Sequence, residues 1–175
     1  MWLMLTVLME CRDQESELAQ TLTMLVAGAV EGLISDVVVL DHGSTDASSR
    51  VADAAGCAFY SQWSLGEVLH GARGDWLLLL ETGARLQPGW IEEVSEYIAL
   101  NQQPACFPLV PYHRRPFLQR MLRRPAPLEH GLLLPKRKAQ AMVQPGMDLD
   151  GLSRRARPVS LRSELVPARI TRSAA

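Results

Sequence analysis

Cysteine is scarce in this chain of 175 residues, and several familiar motifs are absent. The three cysteines, Cys11, Cys57 and Cys106, are far apart and form neither a CxxC pair nor a Cys/His cluster. This spacing supports neither a zinc site nor a disulfide framework, and it indicates a reducing compartment. No GxGxxG, Walker or GxSxG motif is present, so dinucleotide-binding, P-loop and serine-hydrolase functions have no sequence support.

Long hydrophobic runs are also lacking. The opening segment MWLMLTVLM is too short to span a bilayer, which takes about 20 apolar residues, and it lacks the basic region that starts a signal peptide. Charged residues follow it at once, at Glu10, Arg12 and Asp13. The segment is therefore predicted to be a buried first strand, and the protein is expected to be cytoplasmic.

Basic residues are few in the first part of the chain and abundant in the second. Residues 1–111 carry 4 Lys+Arg and 15 Asp+Glu, a net charge of −11, whereas residues 112–175 carry 14 and 4, a net charge of +10. Such an asymmetry indicates either an anionic partner for the basic half or attraction between the two halves. Both interpretations stay open on sequence alone.

The segment Arg114–Arg124 is basic, and its apolar residues recur at helical spacing. It is predicted either to touch an acidic membrane surface, at the inner face of the membrane, or to be an ordinary surface helix packed on a sheet. No recognisable nucleic-acid-binding module accompanies the basic residues, so nucleic acid is not an expected partner. The oligomeric state is not readable from the sequence.

Apolar strands alternate with amphipathic helices over the first hundred residues. The predicted strands are Leu3–Met9, Val37–Leu40, Cys57–Tyr60 and Trp76–Leu80, and Asp13 is expected to cap the first helix. Short connections between such elements imply right-handed βαβ units and a mainly parallel sheet flanked by helices. The predicted α/β domain covers residues 1–143, and residues 144–175 are expected to form a basic, partly mobile C-terminal tail.

Three acidic residues, Glu10, Asp41 and Glu81, fall at the carboxyl ends of predicted strands, where open α/β sheets bind their ligands. In the segment after the second strand, Gly43 allows a sharp turn, and Ser44, Thr45 or Asp46 can cap the following helix. A carboxylate such as Asp41 can accept hydrogen bonds from a bound base or ribose. A well-capped turn without any ligand explains the same residues equally well.

Three longer segments resemble family 2 glycosyltransferases, which have the GT-A fold. LTVLMECRDQESELAQTLTML is similar to the first strand and helix of that family, and VVVLDHGSTDASSRVADAAG is similar to its D-D-G-S-T-D motif. HGARGDWLLLLETGARLQPGWIEEV is similar to the strand that carries the D-x-D motif and the helix after it. The three segments have the order and spacing of the family and cover residues 3 to about 98.

The resemblance implies a short GT-A domain that binds a nucleotide-diphospho-sugar. Residues 1–100 would form the nucleotide-sugar half and residues 101–143 a short acceptor side. Glu81 matches the first acid of D-x-D and Gly83 replaces the last, which is the usual metal ligand, so the motif is degenerate. Mg²⁺ or Mn²⁺ would bind weakly at most, and no cofactor is expected to be required. The implied nucleotide-binding residues are Arg12, Asp41, His42, Gly43, Ser44 and Asp46.

The family also carries a later acid that deprotonates the acceptor hydroxyl. MDLDGLSRR, residues 147–155, is similar to that segment, with Asp148 and Asp150 as candidate catalytic acids and Leu149 at the position of the base. A solvated turn is the other explanation of the two acids, just as His42 can be a simple turn residue. Two functions follow: a sugar transferase acting on an acceptor hydroxyl, or a non-catalytic nucleotide-sugar-binding, scaffold or regulatory module.

Overall fold

The computed structural model describes residues 3–111 and 128–173. The basic segment Arg114–Arg124 lies outside these residues. The first part of the chain contains β1 (Leu5–Cys11), α1 (Glu15–Val30), β2 (Ile34–Asp41), α2 (Ser48–Ala54), β3 (Ala58–Tyr60), α3 (Leu65–Gly71), β4 (Trp76–Glu81), β5 (Arg85–Leu86), α4 (Trp90–Leu100) and β6 (Ala105–Cys106). The second part contains β7 (Leu132–Pro135), α5 (Lys136–Met142), α6 (Leu149–Arg155), β8 (Val159–Ser160), β9 (Leu165–Val166) and α7 (Ala168–Ser173).

The main sheet has seven strands in the order β3-β2-β1-β4-β7-β6-β8. Strand β1 is the third in this order and pairs in parallel with β2 and β4, and β2 pairs in parallel with β3. Among the strands of this sheet that residues 3–111 and 128–173 form, only β7 runs antiparallel to its two neighbours. The predicted mainly parallel α/β sheet flanked by helices is therefore confirmed.

Both faces of the sheet are covered, which explains the continuous apolar runs in β1 and β4. On β4, Leu78 and Leu80 pack into the core formed with α1 and α4, whereas Leu77 and Leu79 pack on the opposite face against α3, α5 and α6. Side chains that alternate between two apolar layers leave no position in the strand for a polar residue. The first polar position in β4 is Glu81, where the strand emerges at the rim of the sheet.

Residues 144–173, predicted from sequence as part of a tail, contribute to both sheets. Strand β8 pairs with β6 at the edge of the main sheet, and β9 pairs with β5 in a separate two-stranded sheet. Helix α6 packs its buried residues Leu149 and Leu152 into the second core layer. In the part of the chain that the structure covers, no helix has the length and apolar character needed to cross a membrane.

A carboxylate at the start of α4 ties this C-terminal region to the first half of the chain. Glu93 accepts hydrogen bonds from the backbone N–H groups of Arg162, at 2.7 Å, and Ser163, at 2.6 Å. Burial by itself raises the pKa of Glu93, but the hydrogen bonds from Ser163 and Arg162 outweigh burial and hold that pKa below its ordinary value. The charged form of Glu93 therefore stabilises the fold.

Glu93→Gln is expected to lower the free energy of unfolding by about 1–2 kcal/mol at neutral pH, because hydrogen bonds to a charged acceptor are lost. The contribution is present above the ordinary glutamate pKa, about 4.3. It disappears as the pH falls through the lower pKa of the folded state. Urea unfolding should show the difference at neutral pH and a smaller one in acid. Glu92→Gln, an exposed neighbour, is the control; a pH-independent difference would contradict this explanation.

Candidate functional site

The carboxyl ends of β1, β2 and β4 meet at one rim of the sheet. Glu10 pairs in register with Glu81 on β4, and Cys11 pairs with Asp41 on β2. The side chain of Thr82 donates a hydrogen bond of 2.7 Å to the carbonyl oxygen of Glu10 and so fixes the two strand ends together. The three strand-end acids predicted from sequence thus lie along the same edge.

Asp41 shapes the turn that follows β2. Asp41 is 5% exposed. Its carboxylate accepts hydrogen bonds from the backbone N–H groups of Gly43 and Ser44, each at 3.0 Å, and from the Ser44 hydroxyl. Gly43 has a φ of +82°, a conformation that favours glycine. The carboxylate therefore holds this turn in place, and a ligand would meet a turn that is already formed.

The turns after β1 and β2 are joined by hydrogen bonds in both directions. Asp13 accepts from the backbone N–H of Thr45 at 2.6 Å, and Asp46 accepts from the backbone N–H of Glu15 at 3.0 Å. The bond from the Thr45 backbone holds the pKa of Asp13 below its ordinary value. The prediction that Asp13 caps α1 is wrong, because its carboxylate binds the neighbouring turn and Gln14 occupies the N-cap. Arg12, exposed in the first turn, lies two residues beyond Glu10.

His42 is held on two sides. Its Nε2 lies 2.8 Å from Oε2 of Glu10, and its ring meets the ring of Trp63 edge-on, with centroids 5.3 Å apart. The indole N–H of Trp63 donates to the carbonyl oxygen of Asp41 at 3.1 Å and so fixes the Trp63 ring. Sequence reasoning placed Glu10 at the rim but gave it no role in the site; the strand-end position of an acid was the only available signal.

The two candidate acids of the C-terminal segment lie beside Glu10. Oε1 of Glu10 accepts a hydrogen bond of 2.6 Å from the backbone N–H of Leu149, although 139 residues separate them. Asp148 caps α6 through the N–H of Gly151. Burial, followed by the negative charges of Asp148 and Glu10, raises the pKa of Asp150. The structure therefore brings the segment 148–150 to the rim that carries Glu10 and His42.

Beside Trp63 a cleft of about 250 Å³ opens between the edge strand β3 and α3. Two aromatic side chains, Tyr60 and Trp63, line it together with the apolar Val38 and Val68. Trp63 connects this cleft with the rim, because its ring contacts His42 and its indole N–H binds the carbonyl oxygen of Asp41.

At Gly83, the position that matches the missing acid of D-x-D, an added side chain would meet neighbouring helices. Its φ is +103°, and its N–H donates to the Thr21 hydroxyl at 2.9 Å. A Cβ built on this glycine would lie 3.3 Å from Cβ of Glu17 and 3.4 Å from Cβ of Ala168. Within residues 3–111 and 128–173, no group of three or more His, Cys, Asp or Glu side chains is arranged to hold a metal ion.

Gly83→Asp is expected to destabilise the fold by about 1–3 kcal/mol, because aspartate at this φ is strained and meets α1 and α7. It is not expected to introduce a Mn²⁺ dependence of nucleotide binding. Gly89→Ala is the matched control, since Gly89 has a φ of +93° with no atom near its Cβ position. If Gly83→Asp were no less stable than Gly89→Ala and bound nucleotide only with Mn²⁺, this interpretation of the turn would be wrong.

Several solved structures are similar to the chain over most of its length. Glucosyl-3-phosphoglycerate synthase from Mycobacterium tuberculosis in complex with UDP matches with a TM-score of 0.63 and 15% sequence identity, covering 91% of this chain and 70% of that one. The same enzyme with Mn²⁺, UDP and glucosyl-3-phosphoglycerate matches with a TM-score of 0.62 and 16% identity, covering 94% and 72%. The chain has the GT-A fold.

A further match is mannosyl-3-phosphoglycerate synthase from Rubrobacter xylanophilus, with a TM-score of 0.57 and 16% identity. It covers 77% of this chain but 54% of that enzyme, so this chain spans about half the length of the mannosyl enzyme. No protein-family model and no curated protein sequence matches the chain. At these identities the likeness concerns the fold, and the function must be argued from the site itself.

Proposed function

We propose that the protein binds a nucleotide-diphospho-sugar at the rim formed by β1, β2 and β4 and transfers the sugar to an acceptor hydroxyl. The observation that carries this proposal is the pair of turns after β1 and β2, which are linked through Asp13 and Asp46 and shaped by Asp41 at the ligand-binding edge of a GT-A sheet. A site already ordered without its ligand loses less conformational entropy on binding.

Each part of the ligand has a matching feature at the rim. The aromatic walls of Tyr60 and Trp63 suit a nucleobase, since base–aromatic stacking contributes about 1–3 kcal/mol. The exposed Arg12 supplies positive charge for the diphosphate, which a guanidinium recognises with paired N–H donors. Gly43 and Ser44 would let the backbone approach the ligand, and Asp148 and Asp150, in the segment that contacts Glu10, would serve the acceptor.

The proposed site binds the nucleotide with little contribution from a divalent metal ion. Glu81 is the one acid of the D-x-D-like segment, and hard cations such as Mg²⁺ and Mn²⁺ need several oxygen ligands. Fixed cations can stabilise the developing charge of a diphosphate leaving group in place of a metal. Nucleotide affinity is therefore proposed to be nearly independent of added metal.

Calorimetry with UDP-, GDP-, CDP- and dTDP-sugars, with and without EDTA, tests the binding step. A dissociation constant between about 1 μM and 1 mM is expected for at least one donor, corresponding to about −8 to −4 kcal/mol. Release of the nucleoside diphosphate in the presence of an acceptor tests the transfer step. UDP-glucose and 3-phosphoglyceric acid are the first pair to assay, because the solved neighbours were captured with UDP and phosphoglyceric acid.

The outcomes separate the two functions inferred from sequence. Binding with acceptor-dependent release of nucleoside diphosphate supports the transferase. Binding without release supports the non-catalytic module. Absence of binding by every donor would contradict both, and abolition of binding by EDTA would contradict the metal-independent site.

A further inference from the structure

One pair of side chains at the rim, Glu10 and His42, is absent from the family motifs that the sequence resembles. His42 stands where the D-D-G-S-T-D motif has its second acid, and Glu10 ends the first strand. The two come from different strands and meet through Nε2 and Oε2 at 2.8 Å. A histidine that contacts a carboxylate can accept and donate protons, so this pair at the ligand-binding edge is a candidate proton-transfer site.

Glu10 is fixed at both of its carboxylate oxygens. One oxygen bonds to His42, and the other accepts the backbone N–H of Leu149 at 2.6 Å. The Glu10 side chain is 23% exposed, so it is partly shielded from water, which strengthens both interactions. Glu10 can therefore orient the imidazole without moving itself.

His42 remains open to solvent on its other side. Its side chain is 43% exposed, and Trp63 packs edge-on against the ring. Glu10 as a carboxylate is an acceptor only, so Nε2 must carry the hydrogen that joins them. In the neutral ring this leaves Nδ1 with a lone pair, and within the described parts of the chain no protein group donates to it.

We propose that His42 is the catalytic base of the transfer and that Glu10 is its positioning residue. This inference rests on the proposed function above. The acceptor hydroxyl loses its proton to Nδ1 of His42 as its oxygen bonds to the anomeric carbon of the donor sugar. The bond from that carbon to the diphosphate oxygen breaks, and its electron pair leaves with the nucleoside diphosphate. Glu10 stabilises the imidazolium that forms, as a carboxylate does in other histidine-based sites.

The neighbouring charged groups define the alternatives. Asp41 precedes His42 and is engaged by its own turn, and Asp148 is engaged as the cap of α6. Asp150 is the rival base, because burial and the charges of Asp148 and Glu10 raise its pKa, while Arg154 acts in the opposite direction. The rival would act from α6, whereas His42 acts from the turn after β2.

The test compares His42→Gln, Glu10→Gln and Asp150→Asn with the unmodified protein in donor binding and in acceptor-dependent release of nucleoside diphosphate. Removing a general base lowers turnover by about 10²–10⁴-fold, so His42→Gln should lose at least about 100-fold in kcat measured at saturating donor. Glu10→Gln should lose about 10-fold or more, since the charge that stabilises the imidazolium is gone. His70→Gln, an exposed histidine on α3, is the control and should be unchanged.

The pH profile separates a catalytic from a structural effect. In the unmodified protein, kcat should decrease at low pH. The residual kcat of His42→Gln should not show this decrease. Retained turnover in His42→Gln, or a loss confined to Asp150→Asn, would overturn the inference. So would donor binding without any transfer by the unmodified protein.

A measurement without turnover tests the pair even if no donor binds. Imidazole ¹⁵N NMR, followed to the alkaline end of the titration, should show the neutral His42 ring in the Nε2–H form. Glu10→Ala should remove this preference, and His42→Gln identifies the signal. A mixture of tautomers in the unmodified protein would overturn the positioning role of Glu10, whereas absence of donor binding alone would overturn the proposed function.

Discussion

Gly74→Ala is expected to lower the free energy of unfolding by about 3 kcal/mol or more, because the added methyl group has no space and meets backbone atoms. A Cβ at this position would lie 2.4 Å from the Thr6 nitrogen and 2.6 Å from the carbonyl carbon of Leu5. These atoms belong to the start of β1 and cannot rotate away. The N–H of Gly74 also donates to the Thr6 hydroxyl at 2.9 Å, so displacing the chain would break that bond as well.

Urea unfolding measures the effect, with Gly66→Ala as the matched control. Gly66 lies in α3 with no atom within 4 Å of its Cβ position, so alanine there should be neutral or should stabilise the helix by up to about 1 kcal/mol. A domain of this kind is stable by only about 5–15 kcal/mol, so the Gly74 change is a large fraction of the total. Equal stability of the two variants would show that β1 and the start of β4 are not packed as described.

Asp41→Ala is expected to weaken nucleotide-sugar binding by about 10- to 100-fold, or about 1.4–2.8 kcal/mol. The carboxylate accepts hydrogen bonds from the backbone N–H groups of Gly43 and Ser44, and without it these groups lose the acceptor that holds the turn in its shape. The turn then no longer presents a fixed surface to the ligand. Calorimetry of donor binding measures the loss.

Two controls separate the turn from general charge effects. Asp53→Ala removes an exposed acid in α2, with the same change in net charge, and should bind the donor as the unmodified protein does. Asp41→Asn keeps one acceptor oxygen, so its affinity for the donor should lie between those of the unmodified protein and Asp41→Ala. Unchanged affinity in Asp41→Ala would show that the turn after β2 does not take part in binding.

The fold was predictable from sequence because short stretches of neighbouring residues indicate its strands and turns. The apolar run Leu77–Leu80 and the β-branched Val37–Val39 each predict a strand covered on both faces, and the glycine turn at Gly43 marks the connection to the next helix. The order of these elements then restricts the sheet to a mainly parallel arrangement. The segments resembling family 2 glycosyltransferases predicted the same GT-A fold.

The contacts of the site were less predictable because they join residues distant in the chain. Asp13 has the position of a helix cap, yet its partner is Thr45 in another turn. The hydrogen bond from the Leu149 N–H to Glu10 joins residues 139 positions apart, and no local sequence pattern predicts it. The surroundings of Gly83 depend on the packing of α1 and α7, which no spacing rule describes.

Nucleotide binding at the rim is the central claim, and a ¹H–¹⁵N NMR titration with UDP tests it most directly. The indole N–H of Trp63 and the backbone amides of Gly43 and Ser44 should shift together and saturate, because they surround the proposed nucleotide position. The amide of Val159, on the far edge strand β8, should not move. Saturable shifts confined to the rim are the predicted result; no shifts, or shifts centred on β8, would contradict the proposed site.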